Sequence, residues 1–164
     1  MFDIGFVAGR LLLGVWLLWR IGAPPGGPRR PTCSVIVPAR NEAHVLPASV
    51  GALASQLGPG DELIVVDDDS LDDTGLVAAT AGARVLDAPA LPPGWTGKTW
   101  ACSTGAAAAT GEVLCFVDAD TTLAPGALDR LVRTQASGGG MVSSCPYHGL
   151  RRPYERLSAL FNLI

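Results

Sequence analysis

Two aspartates one residue apart, Asp118 and Asp120, directly follow the apolar run of residues 113–117. A short continuous hydrophobic run is typical of a buried central strand, and open α/β sheets bind ligands beyond the carboxyl ends of their strands. Two carboxylates so close together repel each other unless a cation or a proton relieves them. The pattern therefore predicts a site where Mg²⁺ or Mn²⁺ holds a phosphorylated substrate. An Asx turn or a helix cap is the structural alternative.

Two further polar segments follow predicted strands. The Arg-Asn-Glu segment 40–42 comes after the first strand, and the Asp-Asp-Asp segment 67–69 comes after the second. A carboxylate at a strand end can accept a hydrogen bond from a base or a ribose hydroxyl, although a solvated acidic loop has the same pattern. In a parallel sheet both segments share one edge with Asp118, so three polar turns are predicted to converge there.

The only lysine of the chain, Lys98, lies at the head of a predicted helix. Its surroundings do not match a phosphate-binding P-loop, because Pro92 stands where that pattern needs a glycine. An ammonium group at a helix N-terminus near an acidic edge is still a reasonable phosphate ligand, and a solvated surface lysine is the alternative. Trp95 and Trp100 nearby either wall a sugar or lipid pocket or pack the loop.

The hydrophobic runs and turn residues predict how these groups are positioned. Strands are predicted at residues 33–38, 62–66, 84–86, 113–117 and 141–145, and helices at 46–57, 72–81, 99–109, from Pro125 onward and at 153–164. Strands that alternate with helices through short connections predict a three-layer α/β domain with a mostly parallel, Rossmann-like sheet.

The N-terminal part has a different character. Residues 1–22 are mostly apolar and predict a transmembrane helix or, because Arg10 interrupts the run, an amphipathic helix on the membrane surface. Arg29 and Arg30 follow, which predicts that this flank and the domain after it lie on the cytoplasmic face of the cell membrane. Residues 23–31 are rich in proline and glycine and predict a linker, and residues 32–164 form the predicted folded domain.

Composition limits the classes of function. A length of 164 residues suffices for one domain with a hydrophobic core. The formal net charge of −3 gives no electrostatic support to a nucleic-acid partner. The four cysteines are widely spaced, without the pairs typical of zinc or redox sites, and we interpret them as reduced, buried residues.

The polar segments, in their order, resemble the motifs of family 2 glycosyltransferases of the GT-A fold. Residues 37–42 (VPARNE) resemble the first-strand motif of that family, and residues 116–121 (FVDADT) resemble its DxD metal motif. Residues 66–74 (VDDDSLDDT) resemble the VDDGSxDxT signature, with Asp69 in place of the glycine. Residues 91–98 (LPPGWTGK) are similar to the branch that acts on carotenoid and hopanoid-type lipids.

This resemblance implies transfer of a sugar, with inversion, from a nucleotide-sugar such as a UDP-sugar to a hydroxyl or carboxyl group of a membrane lipid. It implies that Asp68 reads the uracil and that Asp118 and Asp120 hold Mg²⁺ or Mn²⁺ and the diphosphate. The predicted nucleotide-binding residues are Pro38, Ala39, Arg40, Glu42, Asp68, Lys98 and Asp118. The base that deprotonates the acceptor is expected beyond Ile164, so we interpret the chain as the N-terminal, donor-binding part of a longer enzyme.

Three other functions match part of the sequence. The DxDxT nucleophile motif of haloacid-dehalogenase-type phosphatases fits Asp118 to Thr122, but that chemistry needs a later lysine, and the motif belongs to the first strand. A sugar nucleotidyltransferase needs a glycine-rich, arginine-bearing first loop, which this sequence lacks. A membrane-tethered module that binds nucleotide without catalysis stays open, because no acceptor base is found.

Overall fold

The computed structural model describes residues 30–144. The predicted membrane helix at residues 1–22, most of the linker, Cys145 and the last predicted helix lie outside this part. Within residues 30–144, none of the helices combines the length and apolarity needed to cross a lipid bilayer.

Across these residues, four strands form a parallel sheet in the order β3-β2-β1-β4. The strands and helices alternate along the chain, as predicted. They are β1 (Cys33–Ala39), α1 (Leu46–Ala54), β2 (Glu62–Asp67), α2 (Thr74–Thr80), β3 (Arg84–Asp87), α3 (Gly97–Ala108), β4 (Val113–Phe116) and α4 (Ala127–Gly138). The predicted three-layer α/β fold with a parallel sheet is therefore confirmed.

The helices cover the two faces of the sheet unequally. Side chains of α1, α2 and α4, among them Leu53, Ala78 and Leu128, form one core with Val35 and the other residues that share its face of the sheet. Helix α3 packs alone on the opposite face. Strand β1 has helices on both sides, which explains why its sequence is a continuous apolar run instead of an alternating one.

Helix α3 packs closely on the sheet through small residues. Ala101 packs with Ile36, Ile64 and Val66 in the second core. A Cβ atom on Gly105 would lie 2.5 Å from Cγ2 of Ile36, so this position has no room for any side chain. The close packing fixes the position of α3, and with it the position of Lys98 at its start.

Some element boundaries differ from prediction. The strand predicted at residues 141–145 is absent over 141–144, where Met141 is almost fully exposed and no strand pairs with this segment within the described residues. The helix after β2 has Asp73 at its N-cap, but the Asp73 side chain makes no capping hydrogen bond. Instead, the backbone N–H of Thr74 donates to Asp72 at 3.0 Å. Cys33, Cys102 and Cys115 are free thiols, but of these only Cys33 is buried as predicted, because Cys102 and Cys115 are partly exposed.

Candidate functional site

The carboxyl edge of the sheet, formed by residues 40–42, 68–73, 88–96 and 117–120, collects the polar segments singled out in the sequence. All four strands are parallel, so the segments that follow them emerge at the same edge. The chain moves from β1 to β2 on one side, whereas β4 pairs with β1 on the other. The crevice between β1 and β4 is thus the switch point at which open α/β sheets bind ligands.

The segments after β1 and β2 are braced against each other by Asn41. Its backbone N–H donates to the Ser70 hydroxyl at 3.0 Å, and its side-chain oxygen accepts from the N–H of Leu71 at 2.7 Å. Asn41 has a φ of 56°, in the left-handed region that asparagine tolerates better than most residues. Asp69 has a φ of 58°, so it adopts the backbone conformation that glycine favours at the signature position it replaces.

A second brace connects the same two segments. The backbone N–H of Glu42 donates to the Thr74 hydroxyl at 2.9 Å, and the N–H of Ala43 donates to Asp72 at 3.2 Å. The hydroxyl of Thr74 also donates to Asp72, which lowers the pKa of that carboxyl. The sequence patterns do not predict that Asp72 and Thr74 connect the segments after β1 and β2. The spacing of Ser70, Asp72 and Thr74 is typical of Asx and ST turns, and this pattern is the sequence signal that could have indicated these contacts.

Asp68 lies at the start of the segment that follows β2, and its side chain is more enclosed than that of Asp118. Its backbone N–H donates to the carbonyl of Ala39 at 2.9 Å, and its side chain is only 16% exposed. The guanidinium of Arg40 lies 3.6 Å from the Asp68 carboxylate. Gly97 also lies against this carboxylate, because a Cβ atom there would collide with it.

Lys98, the next residue along α3, contacts the other carboxylate. Its ammonium nitrogen lies 2.7 Å from Oδ1 of Asp118. The hydrogen bond to Asp118 raises the pKa of Lys98, and the nearby charges of Asp118 and Asp120 raise it further. Gly97 and Lys98 therefore connect the segment after β2 with the segment after β4.

The pair Asp118 and Asp120 offers the donor chemistry that a hard divalent cation needs. Both residues are exposed, Ala119 between them is buried, and a cationic group already contacts Asp118. Within residues 30–144 no group of three or more histidine, cysteine or acidic residues could hold a metal ion. Two carboxylates suit Mg²⁺ or Mn²⁺ when water and substrate phosphate complete the shell, so the residues fit a metal that binds together with a phosphorylated ligand.

The loop before α3 carries the two tryptophans. The ring centroids of Trp95 and Trp100 are 5.2 Å apart, in an edge-to-face arrangement. The indole N–H of Trp100 donates to the carbonyl of Pro89 at 2.8 Å, so this ring packs the loop. Trp95 stays 44% exposed. One of the two predicted alternatives, loop packing, thus describes Trp100.

The structure brings four of the predicted residues into two ion pairs, Arg40 with Asp68 and Lys98 with Asp118. Pro38 and Ala39 end β1, and Ala39 is buried. Asn41 and Gly97 also lie at this edge, although neither is among the predicted nucleotide-binding or metal-binding residues. A nucleotide or metal role for the eight predicted residues stays a prediction.

The comparisons with known proteins agree with this arrangement. The model of glycosyl transferase family 2 matches residues 34–159 of the chain. The chain belongs to this family. It is thus a family 2 glycosyltransferase sequence, and the α/β domain has the GT-A fold with a four-stranded parallel sheet.

The relatives point to the carotenoid branch, as the sequence motifs predicted. The family 2 chain is 37% identical, over 98% of its length, to 4,4'-diaponeurosporenoate glycosyltransferase of Staphylococcus haemolyticus, and it covers 44% of that protein. It is 38% identical, over 80% of its length, to the enzyme of the same name from Staphylococcus aureus strain MRSA252, and covers 36% of it. The chain therefore spans less than half the length of these relatives.

Solved structures of similar fold include glucosyl-3-phosphoglycerate synthase of Mycobacterium tuberculosis. That structure has a TM-score of 0.58 and 33% identity, over 66% of this chain and 42% of the other. A complex of the same synthase with Mn²⁺, UDP and glucosyl-3-phosphoglycerate has a TM-score of 0.57 and 30% identity, over 66% of this chain and 41% of the other.

Proposed function

We propose that this chain forms the donor site of an inverting glycosyltransferase that moves a sugar from a UDP-sugar to a hydroxyl or carboxyl group of a membrane lipid. One observation carries the proposal. The consecutive residues Gly97 and Lys98 lie against two carboxylates that follow different strands, Asp68 and Asp118. Asp68 and Asp118, which are predicted to bind the base and the diphosphate, thus lie on either side of one helix start, and this arrangement supports the proposal of a nucleoside diphosphate site.

At the base end, Asp68 supplies a fixed acceptor. Its backbone is hydrogen-bonded to Ala39, and its side chain is largely enclosed, so its oxygens keep a constant orientation. A carboxylate in this position accepts the N3–H of uracil or a ribose hydroxyl. Arg40 lies 3.6 Å away, too far for a strong hydrogen bond, so it leaves the Asp68 oxygens available to a ligand.

At the diphosphate end, Lys98 donates to phosphate oxygens, and Asp118 and Asp120 are the residues that would hold Mg²⁺ or Mn²⁺. Such a cation supplies charge neutralisation on the diphosphate leaving group. The synthase of similar fold has been crystallised with Mn²⁺ and with Mg²⁺ in the presence of UDP, which supports divalent-metal use here.

The transfer needs little covalent chemistry from these residues. The acceptor oxygen attacks the anomeric carbon from the side opposite to the diphosphate, the bond from that carbon to the phosphate oxygen breaks, and UDP leaves. The negative charge that develops on the leaving oxygen lies next to the Lys98 ammonium, which stabilises it. The acceptor proton goes to a base that we do not assign to any residue between 30 and 144.

Two observations support a lipid acceptor and a membrane location. The relatives from Staphylococcus are named for diaponeurosporenoate, and residues 1–22 form an apolar run with Arg29 and Arg30 behind it. We propose that the domain works at the cytoplasmic face of the cell membrane. Fractionation of cells that express the full chain tests the location, and recovery in the soluble fraction would contradict it.

Calorimetric titration of the chain with UDP, in the presence and absence of Mn²⁺, tests the donor site. Asp118→Asn should weaken metal-dependent UDP binding at least tenfold, because it removes a metal ligand. Asp68→Asn should weaken UDP binding by about tenfold, because a charged hydrogen bond is lost, and should reduce the preference for UDP over ADP. Asp73→Asn, at an exposed aspartate of the same edge, is the matched control and should leave UDP affinity unchanged.

No binding of UDP in the presence of Mn²⁺ would exclude the donor site. An assay for sugar transfer to a carotenoid carboxylate separates the two open possibilities. Transfer would support a complete transferase, and binding without transfer would support a nucleotide-binding module.

A further inference from the structure

The ammonium group of Lys98 lies against Asp118, one of the two carboxylates predicted to hold a metal ion. The nitrogen lies 2.7 Å from Oδ1, although both side chains are more than half exposed, at 64% and 56%. Exposed lysines seldom keep one fixed partner, because holding a long side chain costs conformational entropy. The charge of Asp120 also acts on Lys98 and adds to the attraction that holds its ammonium group beside Asp118.

The base of the Lys98 side chain is held firmly, whereas the side chain itself is largely exposed. Thr96 and Thr99 cap the start of α3 through their hydroxyl groups, which lie 2.8 Å apart. Gly97, the preceding residue, is packed against Asp68. Lys98 thus projects from a fixed point between the two carboxylates, and its four-carbon stem can reach different partners.

We infer that Lys98 competes with the divalent metal for Asp118, and that a nucleoside diphosphate relieves the competition by drawing the ammonium onto its phosphate oxygens. An ammonium and a divalent cation repel each other, so each weakens the binding of the other to the same carboxylate. In the absence of nucleotide, Lys98 neutralises Asp118 and keeps the metal affinity low. When a diphosphate binds, Asp118 is released to the metal.

The relief of the competition by a nucleoside diphosphate rests on the proposed function. If both steps occur, metal binding and nucleotide binding are cooperative. Because such coupling is reciprocal, UDP must tighten Mn²⁺ binding by the same factor by which Mn²⁺ tightens UDP binding. The competition itself involves only residues of this chain and Mn²⁺, so it can be measured without any nucleotide.

The experiment measures Mn²⁺ affinity of the full chain from the electron paramagnetic resonance signal of free Mn²⁺, with and without UDP. Lys98→Met should bind Mn²⁺ about two- to tenfold more tightly than wild type without UDP, because a competing exposed cation is gone. In that variant UDP should enhance Mn²⁺ affinity several-fold less than in wild type. Lys98→Arg keeps the competing charge and should retain the weak affinity.

Arg84→Met is the matched control. It removes one positive charge from a half-exposed side chain that pairs with Glu62 at the other edge of the sheet. It should leave Mn²⁺ affinity unchanged within a factor of two. Thermal unfolding of every variant confirms that each one is folded.

The inference is overturned if Lys98→Met binds Mn²⁺ alone no more tightly than wild type and Arg84→Met. It is also overturned if wild type binds UDP but its Mn²⁺ affinity does not depend on UDP. A chain that binds no UDP at all removes the proposed function, whereas tighter Mn²⁺ binding by Lys98→Met would still establish the competition for Asp118.

Discussion

The amino edge of the sheet is formed by residues 30–34, 58–62 and 110–112. There the side chain of Asp61 is fully enclosed and accepts several hydrogen bonds, whereas the side chain of Asp118 at the carboxyl edge is more than half exposed and has Lys98 as a cationic partner. Asp61 accepts from Arg30 at 2.8 Å and from the backbone N–H groups of Cys33 and Gly58 at 2.8 and 2.7 Å. These contacts tie the chain entering β1 to the turn before β2.

Glu62 extends the same pattern at the amino edge. One of its oxygens accepts from the Ser34 hydroxyl and the Thr110 backbone N–H, each at 2.6 Å, and from the Thr110 hydroxyl at 2.8 Å. These bonds join the starts of β1 and β2 to the turn before β4. Similar acids at the two edges thus have different tasks. Those at the amino edge hold strands together, whereas Asp118 at the carboxyl edge is exposed and has Lys98 as a cationic partner.

The sharpest test of this contrast compares Asp61→Asn with Asp118→Asn. Loss of the Asp61 charge leaves Arg30 with Asp129 as its remaining partner and weakens three hydrogen bonds, so we expect unfolding to become easier by about 3 kcal/mol. Loss of the exposed Asp118 charge should change stability by less than about 1 kcal/mol. Urea unfolding of both variants measures the difference, and equal effects would contradict the division between the edges.

Low pH should reduce the stabilisation that the Glu62 carboxylate gives to the amino edge. Desolvation raises the pKa of Glu62, but hydrogen bonds from Ser34 and Thr110 outweigh it, so the net pKa lies below its ordinary value. A lowered folded-state pKa means that the stabilisation is complete above the unfolded pKa of about 4.3 and is lost as the pH falls through the folded value.

The stability gap between wild type and Glu62→Gln should therefore be constant above about pH 5 and narrow below about pH 4. Melting temperatures of both proteins between pH 7 and pH 3 measure this gap. A gap of constant size down to pH 3 would show that the Glu62 contacts do not depend on its charge.

The smallest expected effect concerns the backbone at the carboxyl edge. Asp69 has a left-handed φ of 58°, which costs a residue with a side chain on the order of 1 kcal/mol relative to glycine. Asp69→Gly should therefore leave stability unchanged or raise it by up to about 1 kcal/mol, and Asp69→Ala should lower it. Equilibrium unfolding compares the two, and a more stable alanine variant would contradict the strained turn.

The sequence by itself determined the elements, the fold class and the family. Continuous apolar runs such as residues 33–37 are short-range signals, and a strand buried on both faces leaves such a run whatever its neighbours are. The motifs after these strands identified the glycosyltransferase family. The same reasoning failed over residues 141–144, because a short apolar stretch becomes a strand only if a partner strand pairs with it, and none does so within residues 30–144.

Only the tertiary structure decided which side chains meet. Lys98 and Asp118 are twenty residues apart, and their contact depends on α3 crossing the sheet and on β4 pairing with β1. The contacts of Asp72 with Ala43 and of Gly97 with Asp68 likewise depend on strand order. Strand order follows from packing energy summed over the whole domain, so local sequence patterns could place these residues at one edge but could not pair them.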